Sequence, residues 1–177
     1  DRRSVVQGIA GLALGGVALG QRGRRKLRLA FCSQLLCILP YEVAQRRGRR
    51  LQRPVTEALS QLGLDPSQVG DVVITHFHFD HVGTYRLFPN ATFWVQEAEM
   101  GFFTGPLAHR YPFSVLVEPS DVAGLVELNY AGRVRFVDGE RELWPGISVH
   151  RVGGHSPGLQ VVRVATARGH AVIASDA

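Results

Sequence analysis

The 177-residue sequence predicts a mixed α/β domain, and three observations carry that expectation. From Pro54 onward, helix-spaced apolar residues alternate with short apolar runs. One of these runs, Asp71–Thr75, is β-branched and too short for a helix. From about residue 134, strand-like runs follow one another across turn signals such as Asp138-Gly139 and Pro145-Gly146.

The chain opens with Asp1-Arg2-Arg3-Ser4-Val5-Val6-Gln7 and continues as a Gly/Ala/Leu run to Gly20. Twin arginines before a mildly apolar stretch resemble a Tat export signal over 1–20, which implies a periplasmic destination. A buried helix competes with that reading, because no clear Ala-x-Ala cleavage site follows; without export the expectation is a cytoplasmic protein. The run is too short and too glycine-rich to span a membrane. Residues 21–53 hold two arginine-rich clusters around an apolar patch at 27–39.

Charge is divided unevenly. Residues 1–54 hold 12 Lys/Arg against 2 Asp/Glu, and residues 55–177 hold 8 against 13. The pI near 9.9 therefore describes the N-terminal third. Its arginines lack interleaved aromatics and any recognition motif, so no nucleic-acid partner is expected. Cys32 and Cys37 have no second pair to complete a zinc set and read as free thiols. Residues 1–45 are thus an atypical basic segment, and the regular domain is expected over 46–177.

Within that domain, Pro54 suits a first helical turn, Val55, Leu59 and Leu62 share a face, and Gly63 can cap the end. The strand Asp71–Thr75 follows. A helical turn is expected at 83–88, a strand at 91–96 and a short helix at 97–103. Residues 104–118 carry Gly105, Pro106 and Pro112 and read as an irregular excursion of the kind that often faces substrate. Ser120 is expected to cap a helix through about Asn129. Short strands are then expected at 134–137, 141–144, 147–152, 159–165 and 170–174.

The densest chemistry lies directly after the first of these strands, in Thr75-His76-Phe77-His78-Phe79-Asp80-His81. Three imidazoles and a carboxylate on one loop can serve two ions. His76 and His78 can turn to one, and Asp80 and His81 to the other. Neutral imidazole with carboxylate suits zinc and other borderline divalent ions, and an open coordination position makes such a site hydrolytic. Two further strand ends offer ligands: His155 in Gly153-Gly154-His155-Ser156-Pro157-Gly158, and Asp176 in Ser175-Asp176-Ala177.

The loop at 76–81 resembles the signature of the metallo-β-lactamase-fold hydrolases. The turn after His155, the run Phe88-Pro89-Asn90-Ala91 and Val95-Gln96-x-x-Glu99 resemble the N-acyl homoserine lactonase branch. The resemblance implies an αββα four-layer sandwich with metals at one edge between the sheets. It also implies two zinc ions, one on His76, His78 and His155, the other on Asp80 and His81, with Asp176 between them. The family pattern further expects an Asp-Thr-Gly-type turn in an early strand and one more histidine downstream of Asp176. Neither occurs in these 177 residues, so an incomplete copy at both ends is expected.

By the same resemblance, a metal-bound hydroxide opens the ring of an acyl-homoserine lactone, the reaction of quorum quenching. Asp80 helps with the proton, and Phe77, Phe79, Phe102, Phe103, Tyr111 and Phe113 are candidates for an apolar groove. The alternatives are a glyoxalase-II-like thioesterase, a β-lactamase, or a metal-binding fragment without turnover. A small-molecule ester or lactone is the expected partner, and the oligomeric state is open.

Overall fold

A computed structural model describes residues 17–20, 27–31, 59–61 and 63–177. Strand β3 (Asp71–Val73) shows how the layers arise. Val72 and Val73 are both fully buried, although adjacent strand residues point to opposite faces. A strand buried on both faces belongs at the centre of a covered, parallel sheet. Val72 faces a cluster shared with helices, whereas Val73 faces a second sheet.

The first sheet has five strands in the order β1 (Val17–Gly20), β2 (Leu27–Phe31), β3, β4 (Thr92–Gln96) and β5 (Val134–Val137). β1 and β2 are antiparallel, and the remaining neighbours are parallel. The second sheet is an antiparallel meander of β6 (Glu140–Trp144), β7 (Ile147–Arg151), β8 (Gln160–Thr166) and β9 (Gly169–Ile173). Helices α1 (Phe79–Val82), α2 (Glu97–Phe103) and α3 (Pro119–Tyr130) pack with one face of the first sheet. Val82, Met100, Phe103, Val122 and Leu125 meet Val72, Ile74, Phe93 and Val95 there. Between the sheets lie Val73, Val137, Ile147, Val149 and Val162, flanked by Trp94 and Trp144. Each fully buried Val, Leu or Phe contributes about 1.5–3 kcal/mol of transfer free energy. The described layers run helix, sheet, sheet.

A buried amide pair joins the sheets where they approach the metal-type loop. Gln160 Nε2 donates to Ile74 O (2.7 Å) and Trp94 O (3.2 Å). Gln96 Nε2 donates to Gln160 Oε1 (2.9 Å), while Gln96 Oε1 accepts from Gly139 N (3.0 Å). These bonds explain why β3 is shorter than the expected strand 71–75. Ile74 N still donates to Trp94 O of β4 (3.1 Å), but at Thr75 the chain turns to the other sheet, where Thr75 O accepts from Gln160 N (3.0 Å).

Several sequence expectations shift by a few residues, and two change in kind. Val17–Gly20 and Leu27–Phe31 are strands of the first sheet, in a region where no family-like strand was expected. Helix α3 starts at Pro119 with Glu118 at the cap position, two residues earlier than a Ser120 cap implies. Proline at the first helical position lacks only an N–H that would be unpaired there in any case. The rest of the proposed export signal, the remainder of segment 1–45, Cys32, Cys37 and the start of the helix at Pro54 lie outside the described residues. No helix among the described residues is long and apolar enough to cross a membrane.

Candidate metal centre

Alternation along the extended chain after β3 sends His76 and His78 to one side and Phe77 to the other. Phe77 is fully buried and stacks on Phe103 with ring centroids 6.0 Å apart. Turn α1 then reverses the chain, with His81 N and Val82 N both donating to His78 O (2.9 and 3.0 Å). That single helical turn, where a loop was expected, swings Asp80 and His81 back beside His76. All three histidines and Asp80 are buried.

The other two ligand candidates come from the second sheet. His155 follows β7 through Gly153 and Gly154, whose φ angles of 66° and 83° suit glycine. Asp176 follows β9 through Ser175, the only described non-glycine residue with positive φ (57°). Both strand ends open at the edge where the Thr75–His81 segment leaves the first sheet.

All six predicted residues meet there. Asp176 Oδ2 lies 3.2 Å from His81 Nε2, 3.3 Å from His155 Nε2 and 3.8 Å from His76 Nε2. Asp80 Oδ2 lies 3.5 Å from His81 Nε2. His76, His78 and His155 each offer a ligand atom within 4.8 Å of the others, and so do His76, His81 and Asp176. The second group contains His81 and Asp176 of the expected second set and adds His76, while Asp80 stands beside His81.

The donor set fits a divalent cation. Burial, reinforced by His81, His78 and His155, pushes the His76 pKa down to about 2. Burial, with His155 and His81 adding to it, pushes His78 down to about 4. Both are therefore neutral at pH 7 and present lone pairs, as metal ligation requires. His76 Nε2 is buried without a hydrogen-bond partner, a costly state that a cation would relieve.

A profile of the metallo-beta-lactamase superfamily matches residues 43–177. The chain belongs to that superfamily. An N-acyl homoserine lactonase of Bacillus cereus is 29% identical over 119 residues, covering 67% of this chain and 42% of the relative. A solved N-acyl homoserine lactone hydrolase, with N-hexanoyl-L-homoserine bound at its catalytic metal centre, matches at 25% identity and a TM-score of 0.53. That match covers 67% of this chain and 42% of the other. A dizinc quorum-quenching lactonase matches at 16% identity and a TM-score of 0.61, covering 89% and 54%; this likeness speaks for the fold. The chain spans less than half the length of the curated lactonase it matches. It has the mixed α/β architecture of metallo-β-lactamase-fold proteins.

Three residues of this superfamily member support the ligands without being ligand candidates themselves. Thr75 Oγ1 lies 3.3 Å from His76 Nδ1, and Ser175 Oγ lies 3.4 Å from His81 Nδ1. The two hydroxyls bond each other at 3.1 Å. Partners on Nδ1 orient the rings so that Nε2 faces the centre. Glu99 is 1% exposed and binds Phe77 N, Gly158 N and Ser156 Oγ. Burial raises its pKa, and these hydrogen bonds oppose that shift. In the sequence, Thr75 and Ser175 are marked only by standing directly before His76 and Asp176.

Other candidates lie elsewhere. His109 and His170 are exposed, and His150 sits on β7 between Ser148 and Glu140. Of the aromatic residues, Phe77 and Phe103 are core, Phe102 and Phe113 pack against it, and Tyr111 is 82% exposed.

Proposed function

We propose that this chain carries the metal centre of a metal-dependent hydrolase that opens the lactone ring of N-acyl homoserine lactones. The carrying observation is the convergence of Asp176 Oδ2 on the Nε2 atoms of His76, His81 and His155 at 3.2–3.8 Å. His76, His78 and His155 would hold one ion. Asp80 and His81 would hold another, with Asp176 shared between them. Zinc is the ion that the imidazole-rich donor set suits best. A bound pair of such ions would supply a water acidic enough to attack at neutral pH and would polarise the carbonyl.

The chain's own residues handle orientation and the proton. Thr75 and Ser175 keep the His76 and His81 rings turned inward. Asp80, with Oδ2 3.5 Å from His81 Nε2, is placed to take the proton of the attacking water. The water oxygen bonds to the lactone carbonyl carbon, the bond from that carbon to the ring oxygen breaks, and the ring oxygen takes the proton held by Asp80 to become the free homoserine hydroxyl. The lactonase relatives favour a lactone over a thioester or β-lactam.

The test has two parts. Metal content is measured for the protein and for His78→Ala, and hydrolysis is followed with an acyl-homoserine lactone, a glutathione thioester and a β-lactam. Loss of bound metal in His78→Ala and preference for the lactone are expected. Equal metal in both proteins would sink the assignment, and preference for either other substrate would move the protein to another branch.

A further inference from the structure

We infer that Glu99 is a positioning residue of the proposed metal centre, clamping the loop of His76 and His78 to the loop of His155. The inference rests on the metal-centre reading above and extends it to a residue that reaches no ligand position itself.

The two carboxylate oxygens divide the task. Oε1 accepts from Phe77 N (2.7 Å), between His76 and His78. Oε2 accepts from Gly158 N (2.7 Å) and from Ser156 Oγ, the residue directly after His155. The carboxylate rises from α2, which Met100 and Phe103 anchor in the core. One rigid side chain therefore spans ligands borne by different sheets.

The His155 loop needs such a tie. The His155 side chain is 36% exposed, and the loop begins at two glycines with positive φ. Gly158 lies so close to α2 that an added Cβ would stand 2.4 Å from the backbone nitrogen of Glu99. A side chain there would push the loop off its clamp. Glutamine at position 99 could keep only one side of the clamp. Its carbonyl can accept from Phe77 N, but its amide would then oppose the Gly158 N–H donor to donor.

The experiment compares the unaltered protein, Glu99→Gln, Ser156→Ala and His78→Ala. Zinc affinity is read by competition with a chromophoric chelator, ligand geometry by the visible bands of the cobalt(II) form, and folding by circular dichroism and urea melts. Glu99→Gln is expected to bind zinc about 10–100-fold more weakly, the range for lost outer partners of metal ligands, with altered cobalt bands. Ser156→Ala, which leaves the Gly158 link intact, is expected to show a smaller loss of the same kind. If Glu99→Gln fails to fold, Ser156→Ala decides. Unchanged affinity and bands in the folded variants, with His78→Ala deficient, would overturn the clamp alone. No metal binding by the unaltered protein would overturn the centre and the clamp together.

Discussion

His76, His78 and His81 sit at the buried end of the mixed first sheet, whereas His155 hangs at the rim of the antiparallel second sheet with 36% of its side chain exposed. The first three are held by packing. Phe77, between two of them, is pinned in the core, and Val82, beside His81, is fully buried. His155 is held by hydrogen bonds to its loop, through Glu99 and Leu159. The contrast teaches that one half of this centre is organised by burial before any ion arrives. The other half depends on a few directional contacts that could be lost without harm to the core.

Breaking the buried half should have the largest consequence. His76 belongs to both ligand groups, so His76→Ala should lower zinc affinity by more than about 100-fold, beyond the range for lost outer partners. His155→Ala should leave binding by His76, His81 and the part-exposed Asp176 measurable. Chelator competition on both variants checks this, and equal losses would mean that burial confers no advantage.

Acid should separate the halves next. The folded-state pKa values of His76 and His78 lie near 2 and 4, below the ordinary 6.5 of an unfolded histidine. The unfolded chain therefore binds more protons in that window, and metal-free stability should hold above pH 6.5 and fall below it. The upper limit is about 1.4 kcal/mol per pH unit for each histidine. Urea midpoints at pH 7.5, 6 and 5 measure the slope, and a flat profile would mean that these rings are not buried as neutral groups.

The amide pair at the junction offers a third lever. Gln160→Leu would leave Ile74 O, Trp94 O and Gln96 without that side chain's bonds in a buried place. A stability loss of about 1–3 kcal/mol by urea titration is expected. A neutral result would show that the Gln160 side chain adds nothing to the apolar packing and backbone bonds that join the sheets.

Two smaller effects bracket the comparison. Ser175→Ala removes the hydroxyl beside His81 Nδ1 and should weaken zinc binding about 10-fold with little change in stability. Tyr111→Ala, at a site 82% exposed, should leave stability within about 0.5 kcal/mol. Differential melts of both variants, with and without zinc, provide the check. A large effect at Tyr111 would reveal packing of the excursion that its exposure denies.

Much of this protein was legible in local sequence, because its strongest signals are local. The ligand spacing at 76–81 needs only one strand and one turn to become a site. Short strands with Gly turns, such as Asp138-Gly139 and Pro145-Gly146, declare themselves through β-branching and backbone freedom. His155 and Asp176 were found because ligand-type residues at strand ends stand out from apolar runs. The opening strands at 17–20 and 27–31 were not legible: β1 pairs with β2, and β2 joins the sheet only through β3, a long-range parallel pairing that no local turn or alternation signals.

Tertiary structure alone decided three things. It put His76 in both ligand groups, because the α1 turn folds His81 back toward it across a distance that no spacing rule specifies. It gave Gln96 and Gln160 their place between the sheets, where buried amides must satisfy one another or lose their hydrogen bonds to no compensating water. It also brought Glu99 within reach of two loops separated by about eighty residues of sequence. Residue types and strand-end positions were thus set by the sequence. Which ligand faces which was set by packing, because the distance between two sheets is a property of the side chains that fill the space between them.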